Sequence, residues 1–488
     1  MKRRDFLKAS GGLSAHLIVG GSLLSIRRAE ADTGLPIAAL KAQLDPKKDL
    51  VLLPADKLSA VKNMSFNKRV QIAPRVRVIA GNAKSVGSTI LWATSNGVNF
   101  AVRSGGHSYE GYSQSPDLVI DVRGMAAIKL SADNKSVSVG SGANLGSVYK
   151  ALWPSDLAIP AGSCFPVGVA GHSLGGGFGL LGRPFGLACD SILSMEVVDA
   201  AGQIRNASAQ ENPDLFWALR GGGNGNFGVV TNFNFRTSPV DMVARFKIVW
   251  SSRPIPQAVK IVQAWQQWLG DLPPAITGTL HLDKLSGGQI GVHMSGLSVQ
   301  SESKLIVELK RLQNLAGSAE QAPTKTQTFK AAATVFDGGG PTQVFMKGKS
   351  DYVTDPLSDQ GITTLLNGLQ KAPGAISVLC DTYGGAINSV ASDATAFVHR
   401  GNTKYSIQYY KEWTSQAASD ANIAMMRTLY DSMRPFVSGG AYVNYCDLDL
   451  GDRYAKAYWG DNLPRLTQLK AQFDPKNIFK HVQSVPLS

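Results

Sequence analysis

The sequence lacks several features that would assign it directly to a class of protein. Its four cysteines form no Cys-x-x-Cys pair, so neither a zinc site nor a dithiol centre is predicted. Apart from a weak apolar stretch near the N-terminus, no run is apolar enough to predict a membrane span. The net charge of +13 comes from dispersed Lys and Arg residues, which disfavours a nucleic-acid partner because such binding needs a concentrated basic patch.

The remaining composition is that of a globular protein. Hydrophobic residues make up 44% of the chain and charged residues 17%, and 488 residues are too many for one ordinary core. Two domains are therefore predicted. The four cysteines are free to form disulfides if the protein is exported, although a chain of this length does not depend on them for stability.

The N-terminus has the order of features that is typical of an export signal. Arg3 and Arg4 precede a mild apolar stretch at 13–26, and Ala29-Glu30-Ala31 offers an A-x-A cleavage site. Paired arginines predict recognition by the Tat export machinery, and hence a periplasmic or secreted protein that loses residues 1–31. The alternative is a basic amphipathic first helix.

Short strands alternate with helices from about residue 50 to residue 236. Predicted strands lie at Val76–Ile79, Phe100–Arg103, Leu118–Val122, Ser136–Val139 and Gly228–Arg236, with helices at Ala83–Asn96 and Asp214–Arg220. From about 238 to 440 the pattern predicts an α+β domain with antiparallel strands. The tail, 441–488, is predicted to hold a strand, an aromatic loop and a Leu-patterned helix.

Many of the 51 glycines cluster in three segments, at 103–109, 162–179 and 220–228. In the first, a strand delivers the small residues Ser104, Gly105 and Gly106 before His107, and the N–H groups of such a loop can surround a pyrophosphate. The spacing fits neither a Rossmann fold nor a P-loop. The alternative is a tight turn with a solvent-facing histidine.

The second segment contains a competing signal. Residues 171–175, Gly-His-Ser-Leu-Gly, fit the G-x-S-x-G nucleophile elbow of serine hydrolases, with Ser173 as nucleophile and His399 or His481 as base. That motif needs a hydrophobic strand directly before the serine, and Pro166 and Gly168 make a poor one. A serine hydrolase remains an alternative on these residues alone.

Taken together, the segments resemble the berberine-bridge-enzyme-like FAD-linked oxidases of the vanillyl-alcohol-oxidase, PCMH-type superfamily, among them bacterial carbohydrate oxidases. The resemblance covers 67–237 and 441–485 and rests on R-S-G-G-H at 103–107, the Cys- and Gly-rich segment 162–179, D-L-F-W-A-L-R-G-G-G at 214–223, and Y-V-N-Y-C-D at 442–447. It implies a two-domain α+β fold. Residues 45–240 and 441–488 would form the FAD domain, and 241–440 an inserted substrate domain with an antiparallel sheet.

The resemblance also implies how FAD is held. His107 would bond the flavin 8α-methyl carbon and Cys164 the C6 carbon, while His172 would lie near N1 and the C2 carbonyl. Gly162 matches the position that governs access of O2, and its lack of a side chain favours an oxidase. Further cofactor-binding residues implied by the family are Arg103, Ser104, Gly105, Gly106, Ser108, Gly168, Gly171, Gly176, Gly177, Gly228, Val230, Tyr442, Asn444 and Asn477.

For catalysis, the resemblance implies that Tyr445 removes a proton from a substrate C–OH group. An unperturbed phenol is a poor base near neutrality, so Tyr445 would need a cationic neighbour or a partnering carboxylate, and Asp381 is the candidate carboxylate. Gln408 would contact the substrate, and the aromatic residues Tyr352, Tyr383 and Trp413 could stack on a sugar. The expected reaction is oxidation of the anomeric carbon of a mono- or oligosaccharide to a lactone, with O2 reduced to hydrogen peroxide. Oxidation of a secondary metabolite and a non-catalytic flavin- or sugar-binding protein are the alternatives.

Overall fold

The computed structural model describes residues 33–337 and 343–488, so the expected signal at 1–31 lies outside the described residues. Strands of the described residues are β1 Leu50–Leu52, β2 Val76–Ile79, β3 Phe100–Arg103, β4 Leu118–Asp121, β5 Ile128–Leu130, β6 Ser136–Gly140, β7 Leu157–Ala158, β8 Ile192–Val198, β9 Ile204–Ser208, β10 Val229–Arg236, β11 Ser238–Pro239, β12 Met242–Arg253, β13 Ile276–Lys284, β14 Ile290–Ser298, β15 Thr324–Thr328, β16 Phe345–Val353, β17 Ser377–Thr382 and β18 Tyr405–Trp413.

The α-helices of the same residues are α1 Ile37–Ala42, α2 Lys57–Asn63, α3 Ala83–Ser95, α4 Leu145–Leu152, α5 Val169–Leu174, α6 Gly182–Phe185, α7 Pro213–Leu219, α8 Ile255–Gly270, α9 Glu302–Ala316, α10 Phe329–Phe336, α11 Asp359–Lys371, α12 Ala386–Ser389, α13 Ser419–Ser432, α14 Tyr454–Trp459 and α15 Leu463–Phe473. None of the helices in the described ranges is long and apolar enough to cross a membrane.

The first sheet has the order β1–β2–β4–β3, in which β2 and β3 run parallel to β4 and β1 is antiparallel to β2. The chain crosses from β2 to β3 through α3, whose N-cap Asn82 accepts a hydrogen bond from the Ser85 N–H. Apolar residues of β2 and β4 pack against α3 in a core of their own. Strand β3 ends at Arg103 and so directs the chain into the first Gly-rich loop.

The second sheet is antiparallel, with the order β5–β6–β10–β8–β9. Strands β8 and β9 form a hairpin whose turn lies around residues 199–203. The backbone N–H of Ser141, just after β6, donates to the Thr231 carbonyl in β10. This bond fixes a short loop at 141–143 beside the first Gly-rich loop.

The third sheet is the antiparallel sheet expected for the substrate domain, with the order β15–β12–β14–β13–β17–β18–β16. Its two faces differ because side chains alternate along each strand. One face carries Leu280, Met294 and Ile407 and is covered by α8, α11 and α13. The other face carries polar residues, including Asp381 and Gln408, and is the face on which the candidate site lies.

The α+β fold of the resemblance is confirmed, but the strand expected in the tail is wrong. Residues Val443–Tyr445 form a 3-10 turn, and α14 and α15 follow. The backbone N–H of Tyr442 donates to the Ser350 hydroxyl, and that of Tyr445 to the Tyr442 carbonyl. A side-chain partner and a local turn thus take up the bonds that a neighbouring strand would have made. The Leu-patterned helix is α15.

Candidate functional site

Two Gly-rich segments meet back to back at Gly105 and Gly168. A Cβ atom on Gly105 would lie 2.2 Å from the Gly168 nitrogen, and one on Gly168 would lie 2.3 Å from the Gly105 nitrogen. Both positions therefore exclude any side chain. The contact brings together the His107 loop, residues 104–109, and the Cys164 segment, residues 162–179.

The junction of these segments has the donors that a pyrophosphate needs. The Ser104 hydroxyl donates to the Ser141 carbonyl over 2.7 Å, which adds the 141–143 loop to the junction. Within the described residues, the buried Ser141 hydroxyl and Arg103 Nε have no hydrogen-bond partner. Buried polar atoms of this kind are normally satisfied, so a bound anion would supply what they lack. The junction fits the diphosphate of FAD.

Arg103 and His107 are coupled electrostatically. Burial lowers the pKa of Arg103 to about 9, with repulsion from Arg123 and Arg77 adding to the effect. Burial and the nearby Arg103 charge lower the pKa of His107 to about 4. The His107 ring also stacks on Phe66 at 4.9 Å. The imidazole is consequently neutral near pH 7, with a lone pair available for bonding.

Cys164 is exposed and lies in the same region as two tyrosines. The pKa values of Tyr109 and Tyr445 are raised mainly by burial, and negative charge on Cys164 contributes to both. A thiolate here therefore acts on the residues that are candidates for catalysis. The other cysteines, Cys189, Cys380 and Cys446, are buried and form no disulfide.

His172 is neutral and its orientation is fixed. The Gly162 N–H donates to His172 Nε2 over 2.9 Å, so the ring proton resides on Nδ1. Burial lowers the pKa of His172 to about 4. The Asn444 amide also donates to the His172 carbonyl over 2.9 Å. The histidine thus presents an uncharged N–H donor from a rigid position.

Tyr442 and Asn444 hold the second half of the Cys164 segment. The Tyr442 hydroxyl accepts hydrogen bonds from the Gly177 and Phe178 N–H groups, and the Asn444 amide donates to the same hydroxyl. A Cβ on Gly175 would lie 2.1 Å from Asn444 Oδ1. The C-terminal residues are therefore part of the same structure as the Gly-rich segment.

The remaining residues expected at the cofactor are dispersed around these segments. Gly176 has a φ of +115° and lies against Phe397, and Gly228 has a φ of +149° and lies against Val197. Val230 is buried in β10, and the Ser108 hydroxyl lies 3.6 Å from Cys446 Sγ. Gly106 lies against the Arg103 guanidinium, Gly171 near Asn224, and Asn477 carries a buried Oδ1 with no partner among the described atoms.

The serine-hydrolase alternative is not supported. Ser173 lies inside α5 with no exposed surface, and its hydroxyl has no hydrogen-bond partner among the described residues. The proposed bases bind elsewhere, since His399 Nε2 contacts the Tyr458 carbonyl and His481 Nε2 the Asn224 carbonyl. A nucleophile elbow instead exposes its serine at the end of a strand.

Tyr445 and Asp381 are close enough to be coupled electrostatically. Burial raises the pKa of Asp381 to about 6, against the opposing hydrogen bond that Thr279 donates over 2.7 Å. The pKa of Tyr445 is raised well above 10, first by burial and then by the Asp381 charge. Tyr445 is therefore a protonated phenol that feels the charge of a carboxylate which ionises near neutrality.

Tyr109 is a member of this cluster that sequence reasoning missed. Its ring stacks on Tyr445 with centroids 5.4 Å apart and planes 5° from parallel. Gln408, expected to contact substrate, donates to the Tyr109 hydroxyl over 2.8 Å. An available signal was the position of Tyr109 two residues after His107, which places it on the same loop.

The three aromatics expected to stack on a sugar are not open to it. Tyr352 and Tyr383 are only 1% and 2% exposed, and their rings pack on His399 and Phe178. Trp413 is five residues beyond Gln408 on β18, so alternation places it on the opposite face, where its indole N–H donates to Ser419. None of the three presents a free ring face beside Asp381.

Comparisons with known proteins identify the family of the chain. Residues 74–208 match the family "FAD binding domain", and residues 441–486 match "Berberine and berberine like". The uncharacterized FAD-linked oxidoreductase YgaK of Bacillus subtilis is 34% identical, covering 86% of this chain and 93% of its own.

Two solved structures extend the comparison. Berberine bridge enzyme-like 1 of Physcomitrella patens superposes with a TM-score of 0.85 at 31% identity, covering 92% of this chain and 99% of its own. A variant of the grass pollen allergen Phl p 4, described as a glucose oxidase, has a TM-score of 0.82 at 27% identity, covering the same shares of the two chains. The chain therefore belongs to the berberine-bridge-enzyme-like family of FAD-linked oxidoreductases.

Proposed function

We propose that this chain is an FAD-dependent oxidase that carries its flavin on both His107 and Cys164. It oxidises a C–OH group of a carbohydrate, at the anomeric carbon, and transfers the electrons to O2 to give a lactone and hydrogen peroxide. The observation that carries the proposal is the cluster of Tyr445, Asp381 and Tyr109 on the polar face of the third sheet, next to the Cys164 segment.

The two attachment points suit their roles chemically. His107 is uncharged near pH 7 because its pKa is lowered to about 4 by burial and Arg103, and only the neutral ring is a nucleophile. Cys164 is exposed, and a thiolate is the reactive form of cysteine. The Gly105–Gly168 contact holds the two loops in a fixed relation before either bond forms.

When bound, FAD supplies the two-electron acceptor. Tyr445 cannot act as a free phenolate near pH 7, because its pKa is raised well above 10. Its oxygen instead accepts the substrate hydroxyl proton while its own proton passes toward the Asp381 carboxylate. The Nδ1 proton of His172 would be available as a hydrogen-bond donor to the bound flavin, where an uncharged donor would favour negative charge.

The polar face around Asp381 favours a hydroxylated substrate. Thr279 is paired with Asp381 across the sheet, and Ser406 and Gln408 continue the same face on the next strand. These are donors and acceptors that match sugar hydroxyls. A structural relative described as a glucose oxidase supports the same substrate class.

Screening of substrates tests the proposal. Purified protein should lose its flavin absorbance anaerobically with mono- or oligosaccharides, and should form one peroxide per lactone in air. Bleaching by aromatic alcohols or alkaloids, with none by any sugar, would show that the substrate is a secondary metabolite and not a carbohydrate. Absence of bleaching by every compound would contradict the oxidase.

Asp381 predicts a specific pH dependence. Its carboxyl is ionised only above about pH 6, so the rate of flavin reduction should fall as pH decreases through that value. Asp381→Asn should remove this acidic limb and lower the plateau by about 10–10²-fold, since a proton acceptor is lost. A pH profile of kcat/KM for both proteins checks this, and an unchanged limb in the variant would exclude Asp381 as its origin.

Gly162 predicts how the protein reacts with O2. A Cβ there would lie 2.9 Å from His172 Cε1, in the space beside the ring. Gly162→Ala should slow reoxidation by O2 about tenfold, equivalent to about 1.4 kcal/mol, and should slow reduction by substrate less than that. Turnover with a dye acceptor should persist. Gly270→Ala is the matched control, because a Cβ there meets no atom within 4 Å.

We further propose the domain division 45–240 with 441–488 around a substrate domain at 241–440. The bonds from Tyr442 and Asn444 to the Cys164 segment support the return of the tail to the FAD domain. Tat export remains a proposal from Arg3 and Arg4. Replacing both by lysine should retain the protein in the cytoplasm, whereas unchanged export would refute that route.

A further inference from the structure

A buried group of charges lies directly behind the tyrosine pair, Tyr109 and Tyr445. This charge network comprises Lys347 and Lys349 of β16 together with Glu110, Asp447 and Asp449. Four of its side chains are between 0% and 3% exposed, and Asp449 is 10% exposed. Burying this many charges is expensive unless each is paired, so the network has a structural or functional reason.

Lys347 links the two loops that carry the tyrosines. Its Nζ lies 2.5 Å from Glu110 Oε1 and 2.5 Å from Asp447 Oδ1. Glu110 directly follows Tyr109, and Asp447 lies two residues after Tyr445. One ammonium group thus ties the His107 loop to the C-terminal residues at the point where each presents its ring.

Strand β16 is an edge strand of the third sheet, and residues of the two loops contact both of its faces. On the polar face, a Cβ on Gly348 would lie 2.5 Å from Tyr109 Cε2, and the Ser350 hydroxyl accepts from the Tyr442 N–H. On the opposite face, Lys347 and Lys349 hold the carboxylates. The position of this one strand therefore fixes the positions of both tyrosine rings.

Other bonds hold the same loops to this strand. The Asn67 amide donates to the Tyr109 carbonyl and to the Met346 carbonyl. Arg69 donates to the same Met346 carbonyl and pairs with Glu110 at 3.1 Å. Lys349 Nζ lies 2.6 Å from Asp447 and 2.8 Å from Asp449, so Asp447 keeps a cation if Lys347 is removed.

We propose that Lys347 is a positioning residue, which fixes the stacking of Tyr109 on Tyr445 by pairing with Glu110 and Asp447 at once. The inference rests on the proposed function, in which Tyr445 moves the substrate proton. Proton transfer depends steeply on alignment, and a misplacement of about 1 Å can cost about 10²-fold in rate. Binding of substrate depends less on that alignment.

The test replaces Lys347 and Glu110 together, as Lys347→Met with Glu110→Gln, in the flavin-loaded enzyme. The pair removes one positive and one negative charge and leaves Asp447 and Asp449 with Lys349. Anaerobic mixing with the substrate found in the screen gives the rate of flavin reduction and its half-saturation. We expect the limiting rate to fall by about tenfold or more, with half-saturation changed less than about threefold.

The matched control is Asp351→Asn with Arg434→Met, which removes a buried ion pair from the same face of β16. Asp351 binds Arg434 and Tyr409 and contacts neither member of the tyrosine pair. An equal fall in rate for both double variants, or no fall for the first, would overturn the proposal. If the first variant does not fold, Gly348→Ala displaces Tyr109 without altering a charge. It must then lower the limiting rate of flavin reduction while changing half-saturation little.

The wild-type protein separates this inference from the proposed function. If no compound bleaches the wild-type flavin, the oxidase is refuted and the positioning role is judged from a crystal structure of the double variant. Loss of the 5.4 Å Tyr109–Tyr445 stack would support the role of Lys347. Retention of that stack would overturn it.

Discussion

Tyr445→Phe is expected to slow reduction of the flavin by substrate by about 10²–10⁴-fold, the usual contribution of a positioned acid–base group. The change removes only the phenolic oxygen. The phenylalanine ring can keep the stack on Tyr109 at 5.4 Å and the edge contact with Tyr442 at 4.9 Å. Anaerobic stopped-flow bleaching measures the rate directly, and half-saturation should change little.

Tyr430→Phe provides the control for that variant. The Tyr430 hydroxyl is buried and has no hydrogen-bond partner among the described residues, and its helix lies on the far face of the third sheet. Its loss should leave the reduction rate within about threefold. A Tyr445→Phe protein that reduces its flavin at the wild-type rate would exclude Tyr445 from proton transfer.

The second large effect concerns the attachment of FAD. His107→Ala and Cys164→Ala should each leave the flavin on the protein after acid precipitation, because the other bond remains. The double variant should release all of it. The two residues lie on separate loops, joined at Gly105 and Gly168, so either bond can form without the other.

Cys446→Ala distinguishes a specific cysteine from any nearby one. Cys446 is buried, and its Sγ lies 3.6 Å from the hydroxyl of Ser108, which is on the same loop as His107. Burial raises the pKa of Cys446 to about 11, so its thiol is protonated and unreactive near pH 7. Its replacement should leave attachment unchanged. Release of flavin from the Cys446→Ala, His107→Ala protein would show that Cys446, not Cys164, is bonded.

Local sequence patterns predicted the fold better than they predicted the contacts within the site. The strand Phe100–Arg103 and the small residues after it sufficed to place His107 on a turn at a strand end. The pattern of strands and helices over 238–440 anticipated the antiparallel strands of the third sheet. The expected strand near residue 441 failed because Ser350, about 90 residues away, takes the Tyr442 N–H.

Long-range pairing accounts for most of what the sequence did not reveal. Lys347 pairs with Glu110, which lies 237 positions earlier in the chain, and with Asp447 in the C-terminal residues. No local sequence pattern marks such partners. The hydrogen bond from Gln408 to Tyr109 was likewise not visible in the sequence, because it depends on the strand of Gln408 lying opposite the His107 loop. Trp413 lies an odd number of residues after Gln408, which puts the two side chains on opposite faces once both residues are known to lie on β18.

Peptide mass spectrometry of the wild-type protein shows whether the flavin is bonded to both residues. After acid precipitation and proteolysis, we expect one FAD-bearing species in which the peptide with His107 and the peptide with Cys164 are joined through the flavin. FAD recovered entirely in the acid supernatant of a fully loaded sample, with both peptides unmodified, would contradict it.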